Sequence, residues 1–209
     1  RRPSLESSES TEEAIEVHAI DDPDTTSTVL FYRNNRSKVH VAIHGPHDII
    51  EGEEFSPKSI VNCMVRVSPT LLMENTSDGD RGDAADRAES TEIALERELI
   101  TYLSDAVQNI IAGHKYPKTQ IDICVYISEA DYSILSDMLL ATSYTLLASK
   151  IETVDVLGAA TLSTKTHFLS MAIMCNVGQI CGMHFELTDL EANDDSDIEN
   201  LIQLCMKEC

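Results

Sequence analysis

Reactive side chains are plentiful in this 209-residue chain, but few are spaced for chemistry. His40, His44 and His47 lie on a predicted strand and its exit, where they could be metal ligands or simply edge residues. The six cysteines form no CxxC pair; the closest spacings, Cys175 with Cys181 and Cys205 with Cys209, match no zinc layout. Cys63 and Cys124 sit in predicted strands as core thiols, and a reducing compartment fits. Serine, histidine and aspartate are present in number, yet no GxSxG elbow occurs to expose a nucleophile. Gly79 and Gly82 fall in an acidic stretch rather than a phosphate-cradling loop. Arg1-Arg2-Pro3-Ser4 resembles a basophilic kinase site, though a chance match in a polar tail is the simpler account. No catalytic residue, cofactor or metal site is expected on this basis.

The elements that would position any site are clearer. Ile93, Glu96, Leu99, Ile100, Leu103, Val107, Ile110 and Ile111 recur at three and four residue intervals, predicting a helix from about residue 92 with one apolar face interrupted at Glu96. Gly113 is expected to end it in the left-handed conformation, and Pro117 to prevent its continuation. Ile121, Ile123, Val125 and Ile127 then alternate with Asp122, Cys124, Tyr126 and Ser128, the period of a strand with one apolar face. The helical period returns between Asp131 and Ala148 through Leu135, Met138, Leu139, Thr142 and Leu146, with Asp131 as the expected cap. Upstream, Val29–Tyr32 and Val39–His44 predict a hairpin turning at Asn34 and Asn35, and Val61, Cys63, Val65 and Val67 the inward face of another strand. Downstream, Val154–Leu162, Phe168–Cys175 and Gln179–Phe185 predict strands, and Asp197 is expected to cap a last helix bearing Ile198, Leu201, Ile202, Cys205 and Met206 on one face.

Several of these segments resemble the ribonuclease PH family, which includes the six-membered ring of the RNA exosome. Glu96-Arg97-Glu98-Leu99 and Lys115-Tyr116-Pro117-Lys118-Thr119-Gln120-Ile121-Asp122-Ile123 are similar to the family's centre. Leu139-Leu140-Ala141-Thr142 and Leu146-Leu147-Ala148 are similar to its second helix, written LNAA and ALADAG. Asn35-Arg36-Ser37-Lys38-Val39 followed by Ile43-His44-Gly45-Pro46-His47 resembles GxTKV leading to YGPR, with Asn35 for glycine and His47 for arginine. The hairpin from Leu169 to Gly182 is similar to that of one ring subunit in particular. The implied fold is α+β, a ribonuclease PH-like mixed sheet packed against helices.

Family members that are enzymes cleave RNA from its 3′ end with phosphate as nucleophile, which requires an arginine for phosphate and carboxylates for a divalent metal or a proton. Tyr102 stands in the place of that arginine, and Asp105 where a second basic residue is usual. The family's two carboxylates, six residues apart before the late hairpin, have no counterpart, because no Asp or Glu occurs between Asp155 and Glu186. Without them that metal has no ligands. The resemblance therefore implies a non-catalytic ring subunit that supports 3′ to 5′ RNA processing and degradation. Its implied partners are other ribonuclease PH-like exosome subunits in a hetero-hexameric ring and cap subunits, with placement in nucleus, nucleolus and cytoplasm.

Charge restricts the RNA reading. Thirty-six acidic against 15 basic residues give a net charge of -21, a field that repels phosphate unless cations are gathered locally. RNA contact is thus expected only within an assembled complex, with Arg33, Arg36, Lys38, Arg66 and Lys115 as candidates and solvated surface charge as their plainer role. The acid concentrates in an expected disordered tail at 1–26, a disordered loop at about 73–90 and a linker at 186–196, leaving 27–207 as one domain. No apolar run is long enough to span a bilayer. The competing readings are an active phosphate-dependent exoribonuclease that shares a site with a partner chain, and an unrelated acidic interaction module.

Overall fold

Apolar alternation is strongest in the strand after Pro117, and that strand lies inside the larger of two sheets. The computed structural model describes residues 15–20, 27–33, 36–49, 57–69, 71, 84–164, 167–187 and 195–209. Their elements in chain order are β1 (Ile15–Ile20), β2 (Ser27–Arg33), β3 (Ser37–Asp48), β4 (Ile60–Val67), α1 (Ala84–Ile110), a 3-10 turn (Gly113–Lys115), β5 (Thr119–Glu129), α2 (Ile134–Ser149), β6 (Leu157–Ser163), β7 (His167–Met174), β8 (Gln179–Leu187) and α3 (Asp195–Glu208). The first sheet runs β1-β2-β3-β5-β4, with β4 and β5 parallel and the other neighbours antiparallel. The second is an antiparallel meander, β6-β7-β8. The expected α+β mixed-sheet architecture is thus the one observed.

Register explains why the first sheet is so apolar on one side. Phe31, Val39, Ile127 and Val67 form one rung, Val29, Val41, Val125 and Val65 the next, and Ile43, Ile123 and Cys63 a third; all are buried. Each such side chain taken out of water contributes about 1.5–3 kcal/mol. Both central helices pack on this face and also reach the second sheet, α1 through β4 and β8, α2 through β2, β3, β6 and β7. A helix between two sheets must be apolar nearly all round. That is why Leu135, Met138, Leu139, Ala141, Thr142, Thr145 and Leu146 of α2 are all buried. The far side of the second sheet is covered by α3, where Cys205 joins Ala160, Leu169, Met171 and Ile173.

Several expectations need correction. The helix begins at Ala84 rather than near residue 92, taking in 84–90 of the expected loop. Its first turns are rich in alanine and acid, which propagate a helix without an apolar stripe to announce it. Ile93 is exposed, whereas Leu99, Leu103, Val107 and Ile110 are buried. Gly113 is not left-handed; it opens the 3-10 turn, and the left-handed residue nearby is Lys118. A Cβ at Gly113 would stand 2.9 Å from Ser59 Oγ, so a side chain at this position would turn the Ser59 hydroxyl aside. The cap position of α2 is Ser133, not Asp131, whose Oδ1 instead accepts from the Tyr132 amide. Asp197 lies inside α3, which begins at Asp195.

Within the expected acidic tail, Ile15–Ile20 forms β1, an edge strand paired along β2. Five of its six residues are exposed, so it is held by backbone hydrogen bonds that leave no apolar pattern. Residues 1–14 and 21–26 of the tail, 72–83 of the loop, 188–194 of the linker and the Asn34-Asn35 turn lie outside the described residues. Among the described residues no helix is long and apolar enough to cross a membrane.

Candidate functional site

On the inner face of the second sheet, facing the helices, one rung is polar. Thr161, Ser170 and His184 are cross-strand partners on β6, β7 and β8. Thr161 Oγ1 lies 2.9 Å from Ser136 Oγ of α2 and 3.1 Å from Ser170 Oγ, so the hydroxyls form a chain from the buried helix onto the sheet. Ser136 and Ser170 are fully buried. Over the neighbouring rung sits Tyr102 of α1, whose Cε2 would be 3.1 Å from a Cβ placed at Gly182, so a side chain there would press on the ring. The Tyr102 hydroxyl lies towards Ser170 but closes no hydrogen bond. Burial pushes this phenol up to about 12, with Ser170 opposing in the other direction.

At the open end of the rung the residues become ionisable. His184 Nδ1 lies 3.5 Å from Glu98 Oε1 of α1, and its Nε2 3.0 Å from Glu186 Oε1, two residues along β8. The donor atoms of these three residues lie within 4.8 Å of one another. Phe168, the cross-strand partner of Glu186, meets the imidazole edge-on with ring centroids 6.0 Å apart. Sequence reasoning missed this group. His184 and Glu186 share a strand face by their spacing, but Glu98 is brought to them only by the packing of α1 against β8.

The acids flanking this region have structural work. Glu96, 6% exposed, accepts from the Val67 amide at 3.1 Å and from Arg66 at 2.9 Å, pinning α1 to β4. Asp155, the last carboxylate before the long acid-free stretch, accepts from the amides of Val156, Asn176 and Val177 and from the Asn176 side chain. Its own burial opposes ionisation, but those hydrogen bonds, Val177's foremost, outweigh it and hold the carboxyl below its ordinary value. Asp105 is exposed on α1.

The five basic candidates do not form one patch. Arg33, Arg36, Lys38 and Arg66 gather at the end of the first sheet where β5 finishes, whereas Lys115 precedes β5 at the opposite end. Each has a local partner. Arg33 donates to Asp137 Oδ1 at 2.7 Å, a pair whose carboxylate is fully buried and also accepts from Ser133. Arg66 pairs with Glu96, Arg36 with Asp131 at 3.5 Å, and Lys115 with Glu152, while Lys38 stands over the Tyr32 ring. His47 faces Asp122 at 3.6 Å, and the described residues bring no group of three metal donors together around His40, His44 and His47. All six cysteines are free.

Residues 22–152 match the family described as 3′ exoribonuclease family, domain 1. The chain belongs to this ribonuclease PH-like family. Among curated relatives, it is 28% identical over 94 residues to the exosome complex component MTR3 of Chaetomium thermophilum, 45% of this chain and only 29% of that protein's length. The fold matches rice Rrp46 with a TM-score of 0.68 at 13% identity, covering 93% of this chain and 90% of the other. It also matches a chain of the Archaeoglobus fulgidus exosome with RNA bound to the active site, with a TM-score of 0.68 at 10% identity over 93% and 84% of the two chains. The ribonuclease PH fold is therefore that of this chain. For the family's own metal the residues do not fit, because β6 and β7 carry no carboxylate and Asp155 is committed to the β7–β8 turn.

Proposed function

We propose that this chain is a non-catalytic subunit of an exosome-type ring, supporting 3′ to 5′ RNA processing and degradation by holding the RNA path and binding related subunits. The observation that carries this reading is Tyr102. In the place of the family's phosphate-binding arginine stands a buried, neutral ring packed against Gly182 and facing serine, which offers phosphate neither charge nor a free donor pair. The missing carboxylates on β6 and β7 support the same conclusion. The likeness to MTR3, the subunit type that the late hairpin also resembles, supports placement in a ring of ribonuclease PH-like chains with cap proteins above it. Nuclear, nucleolar and cytoplasmic placement follows from that role.

The basic candidates fit an RNA role only within the assembly. Arg36, Lys38 and Arg66 form an edge at one end of the first sheet, but each is already partnered, so RNA must compete with a local contact. Arg33 is the weakest of the set because its charge neutralises buried Asp137. The test is phosphate-dependent RNA shortening by the purified chain, alone and with its ring partners, together with isolation of the tagged protein from its cells. Co-purification of ribonuclease PH-like chains with no nucleoside diphosphate released by this subunit supports the proposal. Diphosphate release that depends on this chain's residues, or a solitary monomer, overturns it.

A further inference from the structure

We propose that Glu98, His184 and Glu186 form a binding site for one first-row divalent metal ion, clasping α1 to β8 at the open end of the polar rung. The site goes beyond the assembly reading and does not depend on it. It also uses none of the positions at which the family places its carboxylates.

The donor set is chemically apt. Two carboxylates and one imidazole suit a borderline to hard divalent ion such as manganese, and not a soft ion that would prefer the cysteines. Ligand atoms bound at about 2.1 Å to one ion stand roughly 3–4 Å apart. The 3.0 and 3.5 Å contacts use opposite nitrogens of the imidazole, of which one ion takes only one; with one donor atom from each residue the set lies within 4.8 Å, so one glutamate must swing round to the nitrogen that binds. The glutamates have that freedom, with side chains 56% and 64% exposed. The imidazole has less, held edge-on by Phe168 and 24% exposed.

A second observation points the same way. The Tyr102 hydroxyl, on a side chain one helical turn beyond Glu98, is buried without a hydrogen-bond partner beside the Ser170–His184 rung. Helical side chains lean towards the preceding turn. The hydroxyl faces Ser170 without closing a hydrogen bond, and a water held by an ion on His184, the next residue of that rung, would give it a partner. With no ion bound, the three residues rely only on two exposed carboxylate–imidazole contacts, which are weak.

The test is a titration of the purified full chain with manganese(II) chloride, followed by the electron paramagnetic resonance signal of free Mn²⁺. Thiols compete little for this ion. The expected result is one saturable site, weakened at least about tenfold in both Glu98→Gln and His184→Gln, with a metal-dependent rise in melting temperature in the wild type only. Far-ultraviolet circular dichroism and the metal-free melting temperature of the variants should stay close to the wild type, because the two glutamates are exposed and glutamine at 184 keeps a polar side chain of similar size at a half-buried position. No saturable binding, or equal binding in the variants, overturns the proposal. So does saturable binding lost in a Cys205→Ser, Cys209→Ser variant but kept in His184→Gln.

Discussion

The two sheets face the same pair of helices with opposite chemistry. On the first, two successive rungs across β2, β3, β5 and β4, and a third across β3, β5 and β4, are apolar and buried. On the second, the middle of the inner face carries Thr161, Ser170 and His184, with Tyr102 lying against it. A sheet that only has to hold helices can be uniform. One that carries hydroxyls and an imidazole in its core must satisfy each of them, and the Ser136–Thr161–Ser170 chain does so for all but the Tyr102 hydroxyl. The difference teaches where this fold carries polar groups in its interior: against the second sheet, as hydroxyls and one imidazole.

The contrast can be broken most severely at Asp137, the fully buried carboxylate of α2 that Arg33 of the first sheet neutralises. Asp137→Ala should strand Arg33 against a buried site and cost about 3–5 kcal/mol, measured by denaturant unfolding. Arg33→Ala should cost a similar amount, and a double-mutant cycle should show the two to be strongly coupled. Ile123→Ala, at the centre of an apolar rung, should cost about 2–5 kcal/mol through the cavity it leaves. By contrast, Thr161→Val alone should cost about 1–2 kcal/mol, and adding Ser170→Ala should recover part of that, because removing both partners leaves fewer unpaired groups. An equal penalty at Ile123 and Thr161 would erase the distinction between the sheets.

Two finer effects depend on protons. The Asp155 carboxyl lies below its ordinary value, so its stabilisation of the β7–β8 turn is present above the usual carboxylate range and lost as pH falls through its lowered one. Asp155→Asn should therefore lower the melting temperature at neutral pH and reduce the difference from wild type in strong acid. Tyr102 behaves in the opposite sense. With its phenol raised to about 12, its contribution is intact below the ordinary value of 10.0 and is lost as pH climbs from there to about 12. Ultraviolet titration of the six tyrosines should show one ionising late, and Tyr102→Phe should remove that step. At neutral pH the same substitution deletes an unpartnered hydroxyl and should be neutral or stabilising by up to about 1 kcal/mol.

Legibility followed the same division. The period of two at Ile121, Ile123, Val125 and Ile127, and at Val39, Val41 and Ile43, made the first sheet and its hairpin readable. The helical period of Leu99, Leu103, Val107 and Ile110 did the same for α1. What could not be read was whatever lacks a period: the start of α1 at Ala84, where alanine and acid carry the helix, and β1, whose side chains are mostly in water. The absence of acid between Asp155 and Glu186 was visible in the string of residues. That Asp155 itself is committed to a turn was not.

The sequence by itself determined the alternation and helical spacing that specify an α+β ribonuclease PH-like fold, and the stretch without Asp or Glu between Asp155 and Glu186. These are properties of residue type and local order, carried by the chain before it folds. Only the tertiary structure decided that Glu96 and Asp137 are buried partners of arginines, that each basic candidate has a local contact, and that Glu98 meets His184 and Glu186. Those outcomes depend on which helix face turns towards which strand, because residues 86 positions apart become neighbours only when α1 packs against β8.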